Sequence, residues 1–147
     1  KFGVRGESAY FDSRSFLTDS LTSVSRESVF TVLGADYLGE ADWYANLQVG
    51  HQRIYEYSEN ILYFQQDNWN LTGELSKEFM RGKLEIGTDG VYFVSDRSFF
   101  VNPWASIEVL PSLYTELGAH LFEGDPDTIL GQYEENDQVY VKMEYYF

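Results

Sequence analysis

Strict two-residue alternation is the feature that most limits this chain, and the last nine residues, 139–147 (V-Y-V-K-M-E-Y-Y-F), carry it furthest. Val139, Val141, Met143, Tyr145 and Phe147 share one parity, while Tyr140, Lys142, Glu144 and Tyr146 share the other. Side chains along a strand point alternately to its two faces, so one face is apolar throughout and the other is polar. The same period recurs along the whole chain of 147 residues, and no run is long and apolar enough for a transmembrane helix. The expected fold is therefore all-β and antiparallel, one domain of about eight up-and-down strands.

The expected strands are 2–11, 28–38, Trp43–Ile54, 69–79, 83–94, 99–109, 113–122 and 139–147. Trp43, Ala45, Leu47 and Val49 oppose Tyr44, Asn46, Gln48 and Gln52 in the cleanest of them. Lys77 breaks the apolar parity close to a turn, where a lysine can reach water along its own stem. Pro103 lacks an amide donor and predicts a bulge in its strand. The Ser/Thr-rich segment 12–27 reads as a long loop, as do 55–68 and 123–136. Short turns are expected at 39–42, 80–82 and 110–112, with a short loop at 95–98. Long and short connections then fall at opposite ends of the strands, as in transmembrane barrels.

Composition supports a membrane setting. Aromatic residues make up 18% of the chain, an excess suited to two lipid–water interfaces. There is no cysteine, which rules out disulfides, thiolate metal sites and cysteine nucleophiles. The formal charge of −14 makes nucleic acid a poor partner and favours cations or a divalent-bridged lipopolysaccharide surface. The polar parity gathers Glu7, Asp36, Glu74, Glu78, Glu85, Asp89, Glu108, Glu116 and Glu144 against Arg5, Lys83 and Lys142. So many unmatched carboxylates would be very costly in the packed interior of a closed eight-stranded barrel, whereas a wider, water-filled lumen tolerates them. Glu74, Glu85, Asp89, Glu108, Glu116, Lys142 and Glu144 are accordingly the expected lumen lining.

The segments 30–46 (F-T-V-L-G-A-D-Y-L-G-E-A-D-W-Y-A-N) and 131–147 (G-Q-Y-E-E-N-D-Q-V-Y-V-K-M-E-Y-Y-F) resemble the C-terminal region of proteobacterial porin-like and alginate-export-like outer-membrane β-barrels. There a GADY strand, a G-Q-Y before the last strand and a terminal Phe recur. The resemblance implies residence in the bacterial outer membrane, in contact with lipid bilayer and lipopolysaccharide. It implies either a reduced barrel of eight strands or the C-terminal part of a larger one, and the start at Lys1, almost on a strand, fits an excised segment. Other barrel subunits or the remainder of a longer chain are then expected partners.

The first functional expectation is a passive, cation-favouring channel for small polar or cationic solutes. The second is a non-conducting barrel whose loops contact partners. The third is an outer-membrane lipid hydrolase using His120 with Ser106 and Glu108, residues that share a face on neighbouring strands. Neither histidine lies in a recognisable catalytic motif, so no catalytic role is assigned, and His51 is expected at the lipid interface. The acidic run 123–127 does not have the spacing of an EF-hand, and neither a metal nor a cofactor is expected. Asn70-Leu71-Thr72 matches a glycosylation sequon but lies within an expected membrane strand.

Overall fold

The computed structural model describes all residues 1–147. Eight strands form one antiparallel meander in chain order: β1 (Phe2–Leu17), β2 (Ser23–Leu38), β3 (Trp43–Ile54), β4 (Asp67–Phe79), β5 (Leu84–Phe93), β6 (Ser98–Leu110), β7 (Leu113–Glu123) and β8 (Gln138–Tyr145). Every pairing joins consecutive strands, and β1 and β8 are the two edges. The sheet is not closed. Lys83 falls in the turn before β5 rather than on a strand, so Arg5 and Lys142 alone remain as cations among the inward positions named above.

The largest departure from expectation is the first hairpin. Residues 12–27 are not a loop: β1 and β2 run on as paired strands of 16 residues each and turn at 18–22. Along 12–17 and 23–27 the two-residue hydrophobic period fades while strand pairing continues. What anchors the protruding tip is a small cluster of Phe16, Ile54 and Ile61, flanked by Val24, Tyr57 and Phe64. Phe16 lies directly opposite Val24 in the hairpin. The connection 55–66 folds onto this tip, with Thr18 bridging to Ile61, Asp19 N–H donating to the Asn60 carbonyl and Leu62 N–H to that of Leu17 (both 2.9 Å).

Pro103 does not create a bulge. It stands opposite Thr88 in undisturbed register with β5, and the β6–β7 ladder omits Asn102 and Pro103 without changing register. The bulges lie between Phe11 and Arg14 in β1 and between Glu108 and Leu110 in β6.

Phe16, Ile54 and Ile61 are the only buried hydrophobic residues. The accessible surface is 9937 Å², where a compact water-soluble monomer of this size exposes about 7,700 Å². Strand pairing therefore holds the fold, with 76 of 92 backbone hydrogen bonds inside its regular elements. The apolar side chains remain uncovered on one face. Phe2, Val4, Leu33, Leu47, Leu117, Val139, Val141, Met143 and Tyr145 are each 55–76% exposed. At on the order of 100 Å² each, these alone exceed the roughly 300–600 Å² of the largest patch on an ordinary soluble monomer.

The register aligns this face across all eight strands. One row reads Phe2–Tyr37–Ala45–Leu75–Thr88–Pro103. Large aromatic residues form two lines, one near each end. At the short-turn end the line runs Phe2, Tyr37, Trp43, Phe79, Tyr145; at the other it runs Tyr10, Trp69, Tyr92, Phe99. Both cross the hydrogen-bonded rows obliquely and descend in the same sense from β1 onward. From Phe2 to Tyr145 the lower line slips about 20 Å along the strands while crossing about 34 Å of sheet, which corresponds to a strand lean of about 30°. The lines stay about 8–10 residues apart, or about 25 Å measured across that lean.

Lys77 belongs to this geometry. Its ammonium lies over the Trp43 ring at 4.9 Å and the Phe79 ring at 5.1 Å, so a cation on the apolar face sits inside the aromatic line. His51 also lies on the apolar face at the loop end, stacked on Trp69 at 4.2 Å and bonded to Asp67 at 2.9 Å.

Candidate functional site: the concave polar face

The opposite face carries the polar parity of every strand, and register decides which groups meet. Glu74 stands directly opposite Asp89, and Glu78 opposite Glu85. Glu116 faces Ser106 on one side and Lys142 on the other, while Tyr114 stands between Glu108 and Glu144. All seven residues expected to line a lumen thus lie on one face. Glu74, Glu85, Asp89, Glu108 and Glu116 are half-buried, while Lys142 and Glu144 are exposed on the edge strand.

Carboxylates directly across a ladder have Cβ atoms about 5 Å apart. Two unit charges at that separation repel by about 0.8 kcal/mol in water and about 3 kcal/mol at an effective dielectric of 20. Two such pairs, about 13 Å apart along the same two strands, are tolerable beside water and expensive in a dry core.

Part of the charge is held by hydrogen bonds. Asn102 Nδ2 donates to Asp89 Oδ1 at 2.9 Å. The Tyr140 hydroxyl lies 2.9 Å from Glu116 Oε1 and 3.1 Å from Asn102 Oδ1. A hydroxyl donates once, and the shorter contact to a charged acceptor takes the proton. Tyr140 on β8 reaches Asn102 on β6 by crossing β7 at Gly118, where any Cβ would collide with its ring. Gly87 accommodates the Trp104 ring in the same way. Lys142 pairs with Glu144 at 3.0 Å, and Arg5 pairs with Asp36. Near the turns, Glu85, Glu108, Glu116 and Glu144 border a common hollow of about 460 Å³ with Trp104 and Tyr146.

His120, Ser106 and Glu108 do not assemble into a catalytic group. Ser106 pairs with Glu116, four residues along β7 from His120, a separation of about 13 Å. His120 instead has its Nδ1 2.8 Å from Gln138 Nε2 and packs against the Phe100 and Tyr140 rings. No three metal-ligating side chains converge anywhere. In the acidic run 123–127, the Asp125 carbonyl accepts from the Thr128 amide and hydroxyl, which closes a turn. Sequence reasoning missed Asn102, Tyr140, Gly87 and Gly118. The available signal was a glycine on one strand placed to pair with an aromatic residue on the next, which becomes visible only once the register is known.

Compared with known proteins, the chain matches no family model, no curated protein and no solved structure. Fold and site define its class without a family: an all-β protein whose single open antiparallel sheet has one apolar and one acidic face.

Proposed function

We propose that this chain forms part of an outer-membrane β-barrel, its apolar face against lipid and its concave face lining a water-filled, cation-favouring passage. The observation that carries this reading is the pair of parallel aromatic lines. They lie about 25 Å apart and imply strands leaning about 30° from the normal to the lines, which fits the height of the apolar band, the two aromatic girdles and, nearly, the strand tilt of transmembrane barrels. A soluble sheet has no reason to place its aromatic residues along oblique lines.

The acidic face favours a passage over a plug. Glu74 opposite Asp89 and Glu78 opposite Glu85 would be forced to neutralise in a dry interior, while beside water they concentrate cations. The unpaired edges of β1 and β8 leave room for further strands, either from a longer chain or from other subunits, and so for a lumen wider than eight strands enclose. Small polar and cationic solutes suit such a lumen, and the acidic loop end suits a divalent-bridged lipopolysaccharide layer.

Planar-bilayer recording tests the proposal. In a potassium chloride gradient the reversal potential is expected to favour potassium, and the double variant Glu74→Gln/Asp89→Asn is expected to move it measurably toward zero. Absence of conductance, or anion preference in the unaltered protein, would overturn the channel reading. A lipid-inserted but silent protein would point instead to a structural or loop-mediated partner role.

A further inference from the structure

The loop end holds a second feature that ion passage does not require. Arg14 from the first hairpin and Asp127 from the connection between β7 and β8 border the same cavity of about 520 Å³. The sheet therefore curls until its first and last hairpins approach at this end, although their strands do not pair. The volume lies within the usual range of small-molecule sites. The floor comes from the strands, through Phe30, Gln52, Asn70 and Phe93, and one wall from Tyr63 and Phe64.

Gln52 is the informative residue. It lines this cavity, is only 5% exposed, and its Nε2 has no hydrogen-bond partner. Burying an amide donor unpaired is costly, and such a group is normally satisfied by a ligand or an ordered water. The wall beside it is fixed in place. The Tyr57 hydroxyl donates to the Phe64 carbonyl at 3.0 Å, Gln65 Nε2 donates to the Ser95 carbonyl at 3.1 Å, and Phe64 packs edge-on against Phe16 at 5.6 Å. A preformed wall lowers the ordering cost of binding.

We infer that this cavity binds a neutral polyhydroxylated ligand of mono- or disaccharide size. The residue chemistry selects that class. Aromatic rings offer flat faces for the C–H side of a sugar ring, while the Gln52 and Asn70 amides and the Asp127 carboxylate offer donors and acceptors for hydroxyls. A purely apolar ligand would strand those amides. An anion would meet Asp127, with Arg14 as the only cation in the lining and its guanidinium already 5.7 Å from the Phe11 ring and 5.6 Å from that of Phe16. A metal ion would lack ligands, since Asp96 Oδ1 is taken by the Ser98 amide and hydroxyl. The inference goes beyond the channel reading and depends on the loop end alone.

The test uses the whole chain in detergent micelles with glucose, sucrose and lactose as probes. Isothermal titration calorimetry is the readout. At least one sugar is expected to give a saturable change, and Gln52→Leu is expected to weaken it roughly tenfold, equivalent to about 1.4 kcal/mol. Because Leu replaces an unpaired buried amide, the ligand-free variant should be no less stable than the original. A structural glutamine would instead lose stability and leave sugar affinity unchanged. No saturation with any of the three sugars, equal affinity in Gln52→Leu, or a stronger response to choline or inorganic phosphate would overturn the inference. Sugar binding without conductance would sink the channel and leave this site standing; the reverse result would do the opposite.

Discussion

Leu47→Arg puts the lipid assignment under the hardest test. Leu47 is 57% exposed on the apolar face, four residues from Trp43 and four from His51. Those residues mark the two aromatic lines on β3, so Leu47 stands at the middle of the band, about 11 Å from either edge once strand lean is allowed for. Its lateral neighbours are Ala35 and Gly73, neither of which can pair with a guanidinium. In a bilayer, arginine at that depth costs about 2–4 kcal/mol, and near the interface about 0–1 kcal/mol. On a water-exposed sheet the same change falls within about 0.5 kcal/mol of neutral.

Leu113→Arg supplies the rim control. Leu113 begins β7 opposite Tyr145, in the aromatic line at the turn end. Guanidinium unfolding from lipid vesicles, followed by tryptophan fluorescence, gives both values. The expected result is a loss of about 2–4 kcal/mol for Leu47→Arg and at most about 1 kcal/mol for Leu113→Arg. Indistinguishable and near-zero losses at the two sites would refute the lipid assignment and remove the basis for a passage.

Two further outcomes follow from packing. Gly118→Val forces the Tyr140 ring off β7 and breaks its contacts to Asn102 and Glu116, so a loss of about 1–3 kcal/mol is expected in the same unfolding assay, together with increased amide exchange in β8. Phe16→Ala removes the centre of the loop-end cluster at about 3–5 kcal/mol, and limited proteolysis should then cut within 55–66 before any strand is cleaved.

Much of the fold was legible from local pattern. In β3 the alternation from Trp43 onward gave the bounds and both faces, and the short turns around Gly39 and Gly82 marked two strand ends. The first hairpin was hidden because 12–17 and 23–27 lie beyond the apolar band, where no two-residue hydrophobic period is imposed. Phe16 and Val24 were its only trace. Pro103 was over-read, since in antiparallel pairing a missing donor can fall in a ladder gap without inserting a residue.

The sequence alone determined that strands form, which side chains share a face, and that one of those faces is acidic, because side-chain direction in a strand depends only on parity. Tertiary structure decided which carboxylates oppose each other, how the two aromatic lines slope, and that Gln52 is sealed into a cavity at the loop end. Those facts depend on register and curvature, which are set by hydrogen bonds and packing between residues far apart in the chain. No local pattern encodes them.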